Sequence, residues 1–187
     1  MGINNTLKTL KVKMDDSFSK HAADSRAEYI KQLPAGSPIP KANKIYGSEY
    51  LDAFRKEAED IRSQAMSAIT EERERLSKQQ TAAPSDEAVR AISLLKLRTN
   101  LTPDDINNML AAYGSNYSAH KAIVSVASDA GVKYDFPTHE IDRAVDGLDF
   151  VSSKVPSMFS AMTYEKNGVQ PMTTLGFSHT LDSELPE

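Results

Sequence analysis

The longest regular pattern of apolar and polar positions runs from Ser48 to about Lys78, a stretch without Gly or Pro that is rich in Glu, Arg, Lys and Ala. Its apolar residues recur at spacings of three and four, which is the a/d rhythm of a coiled coil. They are Leu51, Phe54, Ala58, Ile61, Ala65 and Ala68. The next two a/d positions are occupied by the charged residues Glu72 and Arg75 instead of apolar ones, so the coiled-coil pattern lasts about two and a half heptads. The pattern predicts one long helix over residues 48–80.

Such a helix would be roughly 45 Å long, and a small core could not cover the whole of its apolar stripe. The stripe could be covered by an N-terminal helix, by a second copy of the chain, or by the domain onto which the helix folds back. Among these possibilities we predict self-association. The predicted protein interface consists of Leu51, Phe54, Ile61 and Ile69.

Residues 81–155 have the pattern of several short helices joined by tight loops, which is typical of a compact all-α domain. In the first of them Ser85 is a suitable N-cap, and Asp86 and Glu87 follow in the first turn, where the helix dipole favours negative charge. The inward-facing residues of this helix are predicted to be Val89, Ile92 and Leu95, with Leu97 as a further candidate.

The next helix begins in the stretch "LRTNLTPDDINNMLAAYG", residues 97–114. Thr102 is the predicted N-cap, and Pro103 occupies the first helical position, where its missing N–H has no consequence. Gly114 is predicted to end the helix in a left-handed conformation. The residues predicted to face inward are Ile106, Met109, Leu110 and Tyr113.

Two more helices complete this domain. Ser115 or Asn116 caps one that stops at Gly131, and Thr138 is predicted to cap the other. The inward-facing residues are Ala119, Ile123, Val126 and Ala127 in the first helix, and Ile141, Ala144 or Val145, Leu148 and Val151 in the second.

The two ends of the chain are less regular. Residues 1–47 form a basic N-terminal arm, in which apolar spacings indicate a helix as far as residue 33, and residues 33–44 form a linker with three prolines and a glycine. Residues 156–187 have no apolar period and are predicted to be an irregular tail, or a segment that becomes ordered on a neighbouring subunit. The expected fold class is therefore all-α, with an extended arm, a long helix, a helical domain and a tail.

Composition narrows the possible functions. The 187 residues include no Cys, which excludes disulfides and thiolate chemistry, and no run of about 18 apolar residues that could span a membrane. The net charge is −4, distributed as +4 over residues 1–47, −2 over residues 48–80 and −6 over residues 81–187. This asymmetry is compatible with head-to-tail electrostatic contact or with a basic arm that meets an acidic partner, but it favours a solvated surface of uneven charge.

The residues that could carry chemistry are few. The four histidines (His21, His120, His139 and His179) show no i, i+4 pair of the kind that binds zinc. Asp142, Asp146 and Asp149 line one helix face, where paired carboxylates can bind a divalent metal or act as acid and base, but the amphipathic pattern favours a solvated face opposite Ile141, Leu148 and Val151. No nucleophile elbow, phosphate loop or dinucleotide fingerprint is present. We therefore predict a non-enzymatic protein without catalytic, metal-binding or cofactor-binding residues.

Residues 103–130 have the outline of a helix-turn-helix, with Asn116, Ser118 and Lys121 on the would-be recognition helix. The second helix carries one Lys and no Arg, and this part of the chain is acidic. Because affinity for DNA depends mostly on neutralising phosphates, nucleic-acid binding is possible but not favoured.

Residues 45–130 resemble small helical proteins encoded among the head-morphogenesis genes of tailed bacteriophages. The likeness rests on "KIYGSEYLDAFRKEAEDIRSQAMSAITEERERL", on the joint "LLKLRTNLTPDDI" and on the paired aromatics of "YGSNYSAHKAI". It implies a non-enzymatic scaffold, internal head protein or minor virion component.

The expected partners are further copies of the chain, as a homo-oligomer, and other virion proteins such as coat or portal. Such a protein would act in the host cytoplasm during assembly and could remain in the virion. A small phage-encoded inhibitor or regulator, binding a host protein or DNA through its helical domain, is the alternative function.

Overall fold

The structure is a computed structural model that describes residues 2–167 and 174–185, and these residues form helices without any strand, as expected for an all-α chain. The helices are α1 (Ile3–Lys31), α2 (Ser48–Gln80), α3 (Asp86–Lys96), α4 (Pro103–Tyr113), α5 (Tyr117–Asp129), α6 (Glu140–Met158), α7 (Ala161–Asn167) and α8 (Thr174–Glu184). The long helix predicted over residues 48–80 is confirmed as α2. No helix among the described residues has the length and apolar content needed to cross a membrane.

The chain divides into two compact units. Unit 1 comprises Met1–Glu72 and Gly147–Glu187, and unit 2 comprises Arg73–Asp146. The four predicted segments do not match this division, since its boundaries fall inside α2 and α6. The difference arises because α1 is part of the core of unit 1, whereas the sequence interpretation treated residues 1–47 as a separate arm.

In unit 1, α1 and α2 pack antiparallel. Phe18 of α1 lies against Phe54 of α2, with ring centroids 5.5 Å apart. Near the C-terminal end of α1, Tyr29 stacks on Tyr46, just before α2, with ring centroids 4.6 Å apart. The linker between the two helices is held against α1, because Arg26 donates to the carbonyl of Pro40 at 3.0 Å. Helix α1 buries Leu7, Leu10, Met14, Phe18 and Ala22, a spacing that follows its helical period.

The C-terminal residues complete unit 1. Helix α6 continues beyond the predicted boundary at residue 155 to Met158, and the part expected to be an irregular tail contains the short helices α7 and α8 within its described residues. Asn4 of α1 donates to Asp182 at 3.0 Å and to the carbonyl of Leu185 at 3.1 Å. Among the described residues of this region, the buried side chains include Met158, Phe159, Tyr164, Phe177, Leu181 and Leu185.

Unit 2 has a separate apolar core formed by α3, α4 and α5. Its buried members are Ala88, Ile92, Leu95, Ile106, Ala119, Ile123, Val126 and Ala127. Met109, Leu110 and Tyr113 are partly buried against it, in agreement with the inward face predicted for α4. For α3 the prediction was only half right, because Ile92 and Leu95 are buried whereas Val89 and Leu97 are exposed.

The helix caps of unit 2 follow the sequence closely, with two exceptions. Ser85 accepts from the N–H of Ala88, Thr102 and Asp105 form a reciprocal capping box, and Asn116 rather than Ser115 caps α5. Gly114 ends α4, but not in the predicted left-handed conformation, since its φ is −72°. Glycine is still favoured at this position, because a Cβ would collide with the carbonyl oxygen of Leu110. Thr138 is not the cap of α6, because the N–H of Ile141 donates to His139 Nδ1 at 3.1 Å.

Candidate interaction surface

The residues predicted as a self-association interface lie inside unit 1. Phe54, Ile61 and Ile69 are at most 2% exposed, and Leu51 is half-buried. Phe54 contacts the rings of Phe18 and Tyr164, with centroids 5.5 and 5.8 Å away. The prediction of an intermolecular interface at these residues is therefore wrong, because the chain's own helices cover the apolar stripe of α2.

An exposed apolar surface occurs instead on α3 and its C-cap residue, Leu97. Val89, Leu94 and Leu97 have exposed fractions of 48%, 65% and 79%, and we call these three residues the α3 surface. Helix α3 buries one face through Ala88, Ile92 and Leu95, and 100° per residue places the α3 surface on the other side of the helix. A short helix whose outward face carries large aliphatic side chains has more apolar residues than its own core can bury.

The sequence already contained a signal for this surface. The stretch "AVRAISLLKL", residues 88–97, has apolar residues at too many positions for one helical stripe. The sequence interpretation placed Val89 and Leu97 in the core and did not select Leu94. Contacts with α5 decide which face is buried, and such contacts cannot be read from the period of a single helix.

Charged residues lie at both ends of α3. Asp86 and Glu87 occupy the first turn, and Lys96 and Arg98 are at the C-terminal end. Glu87 accepts a hydrogen bond from the Tyr113 hydroxyl at 3.2 Å, and Arg98 pairs with Asp105 at 2.8 Å. Asp86 and Lys96 are both exposed.

The residues proposed for a DNA-recognition helix are engaged within unit 2. Asn116 donates to the carbonyls of Ala82 and Ala83 at 3.3 Å, and Ser118 donates to the carbonyl of Gln80 at 3.3 Å. Lys121 forms an ion pair with Asp142 at 2.7 Å. These interactions hold α5 against neighbouring segments of unit 2. They also engage the side-chain donors that would be needed to contact bases or phosphates.

Two histidines that are distant in sequence meet in unit 2. His120 and His139 are 7% and 4% exposed, and their ring centroids are 5.0 Å apart in an edge-to-face arrangement. Tyr117 packs edge-on against His139 at 5.2 Å and donates its hydroxyl to Asp142 at 2.8 Å. The sequence interpretation placed His120 at the polar edge of its helix, but it is buried because the segment before α6 covers it.

The environment of this pair disfavours an additional positive charge. Burial lowers the pKa of His120, and the neighbouring His139 and Lys121 lower it further. The hydrogen bond to Asp142 raises the pKa of Tyr117, and the same carboxylate raises the pKa of Lys121. The two histidine rings pack against each other, and Nδ1 of His120 is buried without a hydrogen-bond partner.

Unit 1 contains a buried lysine. The Lys11 ammonium has no exposed surface and donates to Asp15 at 2.5 Å and to the Tyr164 hydroxyl at 3.0 Å. The Tyr164 hydroxyl in turn donates to the Asp15 carboxylate. Burial lowers the pKa of Lys11, whereas burial and the bond to Asp15 raise the pKa of Tyr164. This set of hydrogen bonds satisfies the buried charge of Lys11 within the unit.

A shallow cleft of about 250 Å³ lies in unit 1 between α2 and α7, lined by Arg55, Glu59, Arg62, Ser160, Ala161, Met162 and Glu165. Arg55 makes two hydrogen bonds to Glu165, at 2.8 and 2.9 Å, and Arg62 pairs with Glu59 at 3.3 Å. Both guanidinium groups are therefore paired with carboxylates of the chain itself, which leaves little positive charge for an anionic ligand.

Within residues 2–167 and 174–185, no three His, Asp or Glu side chains are grouped so that they could hold a metal ion. Of the acidic face predicted on α6, Asp142 is bonded to Tyr117 and Lys121, while Asp146 is exposed. Comparisons with protein-family models, curated proteins and solved structures found no match for this chain.

Proposed function

We propose that this protein is a non-enzymatic component of a phage virion or of its assembly, acting as a scaffold, internal head protein or minor virion protein. It works by binding other proteins, including further copies of itself, and the α3 surface is the binding site. The observation that carries the proposal is the exposure of Val89, Leu94 and Leu97 on one helix.

The energetics of exposed aliphatic groups support this role. Transfer of a fully exposed leucine side chain out of water contributes about 2 kcal/mol, so covering Leu94 and Leu97 would stabilise a complex appreciably. Isolated exposed apolar residues are ordinary on protein surfaces, whereas several exposed close together are typical of an interaction site. The density of such residues on α3 therefore favours a protein partner.

The polar clusters support a structural role for the remainder of the chain. Lys11 is bonded to Asp15 and Tyr164, and Lys121 and Tyr117 are bonded to Asp142. Each of these side chains forms its hydrogen bonds with side chains of the same unit. Such arrangements orient helices, as an assembly component requires.

The test uses lysates of cells that produce the phage encoding this chain, separated on a density gradient. We expect quantitative mass spectrometry to find the chain with precursor or mature heads. A variant carrying Leu94→Asp and Leu97→Asp should instead remain at the top of the gradient, at unchanged abundance. A control carrying Ile39→Asp, which changes another highly exposed residue, should behave like the wild type.

The proposal fails if the wild-type chain is absent from all head fractions. Recovery of the chain in a stoichiometric complex with one host protein, away from heads, would replace it with the function of an inhibitor or regulator.

A further inference from the structure

We infer that residues 132–139 form an acid-sensitive strap over α5, which is closed while His120 and His139 are neutral and opens when they take up protons. These residues, which we call the strap, have no regular secondary structure and connect α5 to α6. The strap lies in a different part of unit 2 from the α3 surface, so its opening goes beyond the proposed function and does not rest on it.

The strap is attached to the rest of unit 2 at few points. Val132 and Phe136 are partly buried against the apolar core, and the ring of His139 packs on His120 of α5. The other residues of the strap are exposed. Among the described residues, the backbone groups of residues 133–138 form no hydrogen bond with another backbone group. The histidine pair is therefore one of a small number of contacts that keep the strap closed.

His120 has no suitable place for a second ring proton while the strap is closed. A hydrogen bond joins its ring to the backbone of Pro137, which has a carbonyl but no N–H, so the ring is the donor. Nδ1 is buried without a hydrogen-bond partner, and the donated proton is therefore on Nε2. Protonation would add an N–H at Nδ1, where the described residues offer no acceptor. Burying an unpaired donor of a charged ring is unfavourable.

His139 is held in the same tautomer by a different bond. Its Nδ1 accepts from the N–H of Ile141 at 3.1 Å and so satisfies a free donor in the first turn of α6. A proton on this nitrogen would turn the acceptor into a donor that faces another donor. Protonation of either ring is therefore coupled to loss of the contacts that close the strap.

The titratable groups that face the pair come from both neighbouring helices and are Tyr117 and Lys121 of α5 and Asp142 of α6. Burial lowers the pKa of His120, and His139 and Lys121 lower it further. Asp142 and the bond to Pro137 act in the opposite direction, but the net shift is downward. The other charged residues of the strap and of the first turn of α6 are exposed, and they are Lys133, Asp135, Glu140 and Arg143.

Asp142 keeps α6 attached to α5 while the strap opens. It accepts from the Tyr117 hydroxyl at 2.8 Å and pairs with Lys121 at 2.7 Å. Burial alone would raise the pKa of Asp142, but these two bonds hold it below its ordinary value. The carboxylate therefore stays ionised over the range in which a histidine of ordinary pKa, about 6.5, titrates. Opening in acid is thus confined to the strap and its junction with α6, and it uncovers the core residues beneath Val132 and Phe136.

Native-state hydrogen exchange, followed by NMR on the full-length chain at pH 8 and pH 5, tests the strap. The reporters are the amide of Ile141, which His139 holds, and the amide of Leu110 within α4. After correction for the chemical exchange rate, the opening constant at Ile141 should rise about 30-fold at pH 5, because His120 regains a pKa of about 6.5 in the open form. It should also exceed the constant at Leu110 by at least about 10-fold, since only the strap opens.

A double variant with His120→Gln and His139→Asn removes both titrating rings, and the asparagine can still accept the N–H at the start of α6. Its opening constant at Ile141 should change by less than about two-fold between the two pH values. His179→Gln, at an exposed position, is the matched control and should behave as the wild type does.

The inference is overturned if the wild-type opening constant at Ile141 stays the same or falls at pH 5. It is equally overturned if the constants at Ile141 and Leu110 are the same, because unit 2 would then open as a whole. A double variant that keeps the wild-type rise would also contradict it. The first two outcomes need only the wild-type chain, so they decide the question even if the double variant does not fold.

Discussion

Lys11 shows how the environment of a single residue depends on contacts that its local sequence does not reveal. A lysine between apolar residues of α1 suggests a solvated position, but its ammonium is buried and held by Asp15 and Tyr164. The partner Tyr164 is 153 positions away in sequence. No local period could therefore have identified the pair.

The Tyr164 hydroxyl should stabilise unit 1 measurably. Tyr164→Phe removes the group that accepts from Lys11 and donates to Asp15, so a buried ammonium loses one of its bonds. We expect the free energy of unfolding, measured by urea denaturation, to fall by about 1–3 kcal/mol. Tyr134→Phe, at an exposed position, is the control and should change it by less than about 0.5 kcal/mol. Equal effects of the two substitutions would contradict this account of the buried lysine.

The histidine pair should make unit 2 sensitive to acid. The pKa of His120 is lowered in the folded chain, so the folded state binds fewer protons than the unfolded state as pH falls below about 6.5. Stability should therefore be fully present above that pH and be lost progressively below it. Of the groups that act on His120, burial, His139 and Lys121 lower its pKa, whereas Asp142 and a hydrogen bond with the Pro137 backbone raise it.

The measurement for this pH dependence is the free energy of unfolding of unit 2 between pH 8 and pH 5, followed by hydrogen exchange of α5. The variant His120→Gln should have a flatter profile over the same range, whereas His179→Gln, at an exposed position, should follow the wild type. A wild-type stability that rises as pH falls would refute the role assigned to His120.

At the level of the helices, most predictions from local signals were confirmed, whereas positions that depend on tertiary contacts were largely missed. Thr102, Pro103 and Asp105 start α4 as predicted, because capping depends on residues only three positions apart. The buried face of α3 was predicted only in part, and the helices α7 and α8 were not among the predicted elements. Their positions depend on contacts with distant segments, such as those of Asn4 with Asp182 and Leu185.

Gly147 gives the sharpest prediction at this scale. It lies within α6, where alanine would ordinarily stabilise a helix by about 1 kcal/mol. A Cβ at this position, however, would overlap the carbonyl oxygen of Glu184 in α8. Gly147→Ala should therefore lower the free energy of unfolding by about 1–3 kcal/mol, as overpacking does elsewhere.

Thermal unfolding followed by circular dichroism would measure this effect. Gly2→Ala is the control, since a Cβ at Gly2 meets no atom within 4 Å. Stabilisation by Gly147→Ala would show that α8 does not pack on α6 as described.

At the level of the whole molecule, the sequence predicted the fold class and the main helices, but it did not predict which apolar residues remain exposed. The all-α class, the length of α2 and the order of short helices in unit 2 followed from period and caps. The location of the exposed aliphatic residues did not, because the same a/d stripe can pack within a chain or between chains. In this protein α1 covers the stripe, and the exposed aliphatic residues are on α3.

The most direct test of this account is light scattering coupled to size-exclusion chromatography, over a range of loading concentrations. It compares the wild-type chain with a Leu94→Asp, Leu97→Asp double variant and with Ile61→Asp. We predict that the wild-type mass rises with concentration, while the double variant keeps the mass of one chain and an unchanged elution volume. Ile61→Asp should elute earlier as an expanded species, because it places a charge in the core of unit 1. A double variant that associates like the wild type, or a compact Ile61→Asp chain that has only lost association, would contradict the account.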